Sequence, residues 1–445
     1  MQYITEPPRE IPVAGEYDVV VLGGGPAGIA AAAAAARGGA SVVLAERYGF
    51  LGGMGTAAGV TNFCGLFANV HGEIRRIVHG VADELLDRID RLGGLNAPHS
   101  IFGRTLAQAY DMSAYKCAAD DLLLGAGAEL AFHALAVGVA MNGEREVDAL
   151  ILETKSGRRA IRGRIFVDAS GDGDLAAWAG APWEKSEHLL YPTLMFRVNG
   201  VDPQRAGDAM NEIPRLMDEA QAEGAYRFPR RGAIVRPQKN PTEWRANVTQ
   251  IRTAGGRAMD GTDAGEWSAG EVEGRRQIRD YIRFLRERVP GFERSYVLDI
   301  AAQVGIRETR RVLGEYVLTE DDVVGCASFA DTIGVNSWPL ERHVAGDVAW
   351  TWPPIPDSRG FNHLPYRMLV VRGIDNLLVA GRCGSMTAAG QSAARVSGGC
   401  FVMGQAAGTA AAAALVAGIA PRDLDPTALQ AQLERDGVYL GRDVD

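Results

Sequence analysis

From Tyr17 to Glu46 the chain reads YDVVVLGGGPAGIAAAAAAARGGASVVLAE, and few local patterns restrict a fold more. A short β-branched run, a glycine cluster, an alanine-rich stretch and a second apolar run predict strand, tight turn, helix and strand in that order. Gly23, Gly25 and Gly28 stand at the G-x-G-x-x-G spacing, with Pro26 and Ala27 opening the helix. The first glycine permits the turn, the second lets backbone meet a pyrophosphate, and the third allows close helix–strand packing. The helix N-terminus then presents oriented N–H groups to the anion. Glu46 ends the second strand, where a carboxylate accepts hydrogen bonds from a ribose. An acid at that place disfavours a 2′-phosphate, leaving NAD and FAD. Arg47 and the loop LGGMGT, with Gly53 and Met54, turn the choice towards FAD, because a simple NAD domain has no need of a second glycine-rich loop.

Length and charge narrow the rest. A chain of 445 residues with 47% hydrophobic content holds enough apolar material for about two to four domains. Its 46 basic and 55 acidic residues, net charge -9, argue against nucleic acid as the main ligand. Five scattered cysteines without a C-x-x-C pair suggest neither a disulfide framework nor a zinc site, and fit a reducing cytosol. The first sixteen residues lack the basic-then-apolar pattern of a signal peptide, so a cytoplasmic protein is expected. Phe401 to Ala420 is long and apolar, but its Ala/Gly content with Gln405 and Thr409 reads as a buried helix, not a membrane span.

Helical spacing is visible in Leu85–Leu92 and Asp111–Leu124. Leu130–Val139, Val147–Glu153, Arg158–Arg162 and Ile165–Val167 read as successive strands, the first two joined by a turn at Asn142-Gly143. From about Trp183 to Arg367 the composition changes, with most of the tryptophans and a polar run from Pro237 to Gly274. An apolar strand at Asn376–Ala380 then leads back to Gly/Ala-rich sequence.

Five ordered segments, LGGGPAGIAAA with Glu46, LGGMGT, FVDASGDGDLAAWAGAP, GIRETRRVLGEYVLTEDDV and NLLVAGRCGSMTAAGQSAARVSGGCFVMGQAAGTAAAAAL, resemble the two-domain FAD-dependent oxidoreductases related to glutathione reductase and the fumarate reductase flavoprotein. The resemblance spans nearly the whole chain. It implies an α/β fold: a discontinuous Rossmann-type FAD-binding domain (1–181 and 367–445) with an inserted β-rich α+β substrate domain (182–366). It further implies that Ser170 and Gly171 meet the FAD diphosphate, that Val137 lays backbone against adenine, and that Gly381 and Arg382 border the cofactor. The helix from about Gly399 would point its N-terminus at the flavin pyrimidine edge. Charge gained there on reduction favours a nearby cation, for which Arg395 is the candidate. Acids in the segment from Asp168 to Asp174 imitate a calcium loop, but Ala179 stands where its closing glutamate belongs. The absence of a second G-x-G-x-x-G and of a C-x-x-C or C-x4-C pair departs from the disulfide reductases.

Arg307, in GIRETRR, is a candidate for holding a carboxylate through its guanidinium fork. His363 and Tyr366, in FNHLPYR, precede the return to the first domain and are candidates for moving a proton. Cys64 and Cys383 read as small buried hydrophobes before they read as reactive thiols. The expected function is flavin-dependent hydride transfer on a small-molecule substrate, as dehydrogenase, oxidase or reductase, with a separate electron acceptor or oxygen. A flavin monooxygenase and a structural FAD in a binding or RNA-modifying assembly are the alternatives. No nucleic acid and no membrane partner is expected, and a homo-oligomer is left open.

Overall fold

The computed structural model describes residues 4–444. Strand β1 (Val13–Leu22) buries Val19 to Leu22 on both faces, which is why its end is an unbroken apolar run. Helix α1 (Pro26–Arg37) follows at once, with Pro26 in the first turn, where a missing N–H costs nothing. Strand β2 (Val42–Ala45) returns parallel to β1, pairing Val19 with Val42 and Leu22 with Ala45. Beyond β2 lies β3 (Glu129–Ala131), while β4 (Leu135–Asn142), β5 (Glu146–Thr154) and β6 (Gly157–Asp168) form an antiparallel meander. The sheet order is β3-β2-β1-β6-β5-β4, and the strand Leu377–Val379 also joins β6, in parallel. Parallel strands with a helical crossover and an antiparallel meander make this an α/β Rossmann-type architecture.

Arg158–Arg162 and Ile165–Val167 are one twelve-residue strand, not two. The glycine between them marks a close approach: a Cβ on Gly163 would lie 2.7 Å from Val20 Cγ2. Both expected helices form, over Val81–Arg91 and Met112–Ala126, and Asp111 caps the second by accepting from Ala114 N–H.

A second sheet has the order β8-β9-β7-β10, from β7 (Phe196–Asn199), β8 (Ile234–Pro237), β9 (Trp244–Asn247) and β10 (Tyr296–Ile300). Between β9 and β10 runs α2 (Ala264–Arg288), whose 25 residues lie partly inside the run read as merely polar. Its buried face begins with Gly270 and Gly274, which admit Met259 and Leu194, and continues through Ile278, Tyr281 and Leu285. Glycines carry no apolar signal, so the stripe shows in sequence only near its end.

This sheet and α2 own a core that runs from Leu194 to Ile306. By contrast Ile333, Val335, Leu340, Phe361, Leu364 and Tyr366 pack with the N-terminal core, although they precede residue 367. Strand β11 (Leu340–Val344), in a hairpin with Asp347–Thr351, begins in that core with Leu340, and at its far end His343 O accepts from Tyr191 N–H and Val344 O from Gln250 Nε2, which ties it to the second unit.

The apolar C-terminal stretch is helix α3 (Ser397–Ala417). It is long and apolar enough to cross a membrane, with a mean hydropathy of 1.6, but 78% of that window is buried inside the fold. A Cβ on Gly404 or Gly408 would come within 2.1 Å of Ala27 O or Ala31 O. Glycines four apart thus let α3 lie backbone to backbone on α1 and hold the turn before α1 in place.

Candidate functional site

Where β1 gives way to α1 a cavity of about 270 Å³ opens. At one end Gly23, Gly25, Pro26, Ala27, Glu46, Arg47, Gly53 and Met54 line it. Gly53 has φ +52°, and a Cβ on it would lie 2.8 Å from Gly25 Cα, so two glycine loops meet through backbone alone. A Cβ on Gly25 finds only Gly53 Cα, 3.8 Å away, within 4 Å. Gly28 does a different job behind the wall, where a Cβ would sit 1.8 Å from Gly23 O. Glu46, 7% exposed, accepts from Gly24 N–H through Oε2 at 2.7 Å and from Tyr48 N–H through Oε1 at 3.0 Å. Each oxygen keeps acceptor capacity for a ribose. Arg47 donates to Gln303 Oε1 at 2.7 Å, and Gln303 donates to Met54 Sδ, so this end is braced by the second domain.

Ser170, Gly171, Gly381 and Arg382 continue the wall. Their geometry comes from the turn after β6. Asp168 accepts from Ser170 N–H and Ala176 N–H, and Arg382 Nη2 lies 3.0 Å from Asp172 Oδ1. Asp174 is paired with Arg310 and occupies the first turn of a five-residue helix; it does not cap it. The acids that imitate a calcium loop are thus engaged by the chain itself. Burial, then Asp172 and Asp168, push the Asp174 carboxyl up to about 6. A backbone floor, a carboxylate beside the turn and flanking arginines fit a dinucleotide.

The cavity then widens into a chamber shared with the second domain. Arg307 and Arg395 line it, as do Arg236, Arg245, Glu341 and His343. His343 Nε2 lies 2.9 Å from Glu341 Oε1, and the ring is 3% exposed. Burial, then the Arg307 charge, holds the imidazole down at about 3. Burial alone would raise Glu341, but bonds from His343 and Trp338 and the Arg395 charge win and keep it at about 2. The pair is therefore a neutral histidine donating to a carboxylate, with Nδ1 as its basic nitrogen. Arg307 Nη1 donates to Tyr191 O and to Thr193 Oγ1, both at 2.8 Å. Among the described residues Arg395 makes a long 3.5 Å contact to Glu341 O, and its Nε has no partner there. Cys64 also lines the chamber, its thiol pushed up to about 12 by burial, whereas Cys383 lies outside the lining.

Three expected residues stand elsewhere. His363 is outside the cavity lining: Nδ1 accepts from Phe329 N–H at 3.2 Å and Nε2 lies 3.1 Å from Gly441 O. With both ring nitrogens held by backbone, His363 is a fastener of the C-terminal segment and not a proton carrier. Tyr366 is likewise outside, donating its hydroxyl to Pro421 O at 2.7 Å, and burial raises it well above the usual phenol range. Val137 sits on the edge strand β4, away from the lining; backbone next to Glu46 comes instead from Ala131 and Ala134. Sequence reading missed His343, Glu341, Arg236 and Arg245. One signal was present: Glu341 and His343 alternate on one strand, so both side chains emerge on the same face.

The sequence model of the family described as FAD dependent oxidoreductase matches residues 18–433. No curated protein sequence matches the chain. Similar solved structures include a geranylgeranyl bacteriochlorophyll reductase-like protein of Thermoplasma acidophilum, 14% identical over 95% of this chain and 83% of that one, with a TM-score of 0.49. The anhydrotetracycline hydroxylase OxyS of Streptomyces rimosus is 15% identical over 94% of this chain and 65% of its own, with a TM-score of 0.42. With the family matched from β1 to the last helix, this chain belongs to the FAD-dependent oxidoreductases, and FAD is its cofactor.

Proposed function

We propose that this enzyme transfers hydride between FAD and a small polar organic substrate, as a dehydrogenase, oxidase or reductase, and exchanges electrons with a separate acceptor or with oxygen. The observation that carries this reading is a single cavity lined both by the glycine loops and by the His343–Glu341 pair. Bound FAD supplies the two-electron redox chemistry. The chain supplies the rest. A substrate that loses hydride also loses a proton; an anionic group set against Arg307 offsets the charge that holds His343 down, and Nδ1 then takes the proton while Glu341 fixes the tautomer through Nε2–H. Arg307, held by Tyr191 and Thr193, orients the polar end of the substrate. Arg395 answers the negative charge that reduction brings to the cofactor. A reducing compartment belongs to the same reading, since all five cysteines are free.

Anaerobic photoreduction of the holoprotein, followed by a panel of candidate acceptors and donors, tests the proposal. Reoxidation by at least one unsaturated compound, or bleaching of the oxidised protein by its saturated counterpart, is the expected result. A flavin that answers to no compound in either redox state would leave the cofactor structural.

A further inference from the structure

Arg236 and Arg245 stand directly opposite each other on the antiparallel strands β8 and β9, and both line the chamber. Like charges in that register oppose folding unless something lies between them. Arg197, the neighbour of Arg245 on β7, has its own acids in Asp299 and Glu243. Among the described residues no carboxylate pairs with Arg236 or Arg245. Arg245 is 5% exposed and donates only a 3.3 Å bond, from Nε to Thr61 Oγ1. Nε and Nη1 of Arg236 have no partner among the described residues. Beside them Asn247, 8% exposed and also lining the chamber, leaves Oδ1 without a partner. Burial and the mutual repulsion of the two guanidiniums draw Arg245 down to about 10. A pair of facing cations, one buried and one half-buried, with spare donors is a site short of an anion.

The same cavity also carries an aromatic cluster whose rings meet edge to face. Trp338, 3% exposed, meets Trp350 with ring centroids 5.9 Å apart, and Phe102 meets Trp350 at 5.4 Å. All three line the same cavity. Phe102 is 67% exposed at a hairpin tip with φ +52°, a conformation a bulky side chain rarely adopts. An aromatic held at that cost over the mouth of a charged chamber is placed to cover a ligand.

We propose that the chamber takes an aromatic or conjugated carboxylic acid, its carboxylate bridging Arg236 and Arg245 and its flat body lying against Trp338, Trp350 and Phe102. The inference rests on the hydride-transfer reading for what happens to the acid, but not for its binding. Two guanidinium forks meet the two oxygens of one carboxylate, and the ring fills the aromatic side.

Benzoate, benzamide and phenyl phosphate, titrated into the FAD-loaded enzyme, form the test. Occupancy is read from the perturbed absorbance of bound flavin and from the thermal midpoint, neither of which needs turnover. Benzoate should bind roughly 10-fold or more tighter than benzamide, the scale of charged hydrogen bonds. Arg236→Gln and Arg245→Gln, each retaining FAD, should remove that preference, and Arg236→Lys should restore part of it. Should Arg245→Gln fail to load FAD, the half-buried Arg236 decides alone. Equal binding of acid and amide, tighter binding of phenyl phosphate, or an unchanged preference in Arg236→Gln would overturn the proposal. Benzoate that binds as predicted while no acid of this class ever bleaches the flavin would refute the hydride-transfer reading and leave the carboxylate site standing.

Discussion

At Glu46 one carboxylate has two duties. It ties down Gly24 and Tyr48 N–H groups and faces the ribose end of the cavity, so Glu46→Ala both removes a cofactor contact and loosens the loop. Charged hydrogen bonds of this kind are worth about 1.5–3 kcal/mol, so FAD affinity should fall by roughly 10- to 100-fold in a fluorescence titration of the apoprotein. An unchanged affinity would detach Glu46 from the cofactor. His343 and Glu341 set a pH dependence. The imidazole falls from 6.5 to about 3 and the carboxyl from 4.5 to about 2, so the folded state binds fewer protons than the unfolded one. Stability from the pair is full above pH 6.5 and is lost as the pH falls towards 3 and then 2. His343→Asn should flatten the acid limb of the thermal midpoint between those values; an identical slope would mean that the ring is not held neutral. The ribose acid was legible because its distance from the glycines is fixed by one strand–helix–strand unit. His343 was not, because nothing local says that β11 reaches the chamber, whereas FNHLPYR looked close to the cavity and its histidine proved to be bound by backbone on both sides.

Between elements, the contact of α1 with α3 is the most exacting. Replacing Gly408 with Ala puts a methyl where Ala31 O lies 2.1 Å away, so the helices must separate along their whole contact. Overpacking of this kind costs about 1–3 kcal/mol, and a lower midpoint in thermal denaturation should report it. Gly25→Val tests the opposite situation: its side chain enters open cavity, so the protein should fold with a midpoint near that of the parental apoprotein yet fail to retain flavin. Retention of FAD would show that this loop does not hold the cofactor. Strands and helices with dense apolar signals, β1, α1 and β2, were readable in the sequence. Gly163 in β6 imitated a turn and Gly270 and Gly274 hid the face of α2, because a glycine chosen for close packing looks like one chosen for flexibility until its neighbour is known.

Across the whole molecule the core around β1 and the core of the second sheet both border one cavity. The inserted segment begins as a separate unit around Leu194 but ends inside the first core, and β11 carries the Glu341–His343 pair across that join. Composition marks the inserted segment by its tryptophans and polar run, and it carries no sign that Leu340, Phe361, Leu364 and Tyr366 pack with the first core, because they change partners without changing character. The central claim is that chemistry at the flavin depends on a residue of this bridging strand. Anaerobic stopped-flow measurement of flavin reduction, with any acid found to bind the chamber and bleach the flavin, tests it most directly. His343→Asn should slow bleaching by roughly 10²- to 10⁴-fold, the share of a general acid or base, while His363→Asn leaves the rate near the parental value. Bleaching at the parental rate in His343→Asn, or a comparable loss in His363→Asn, would contradict the account.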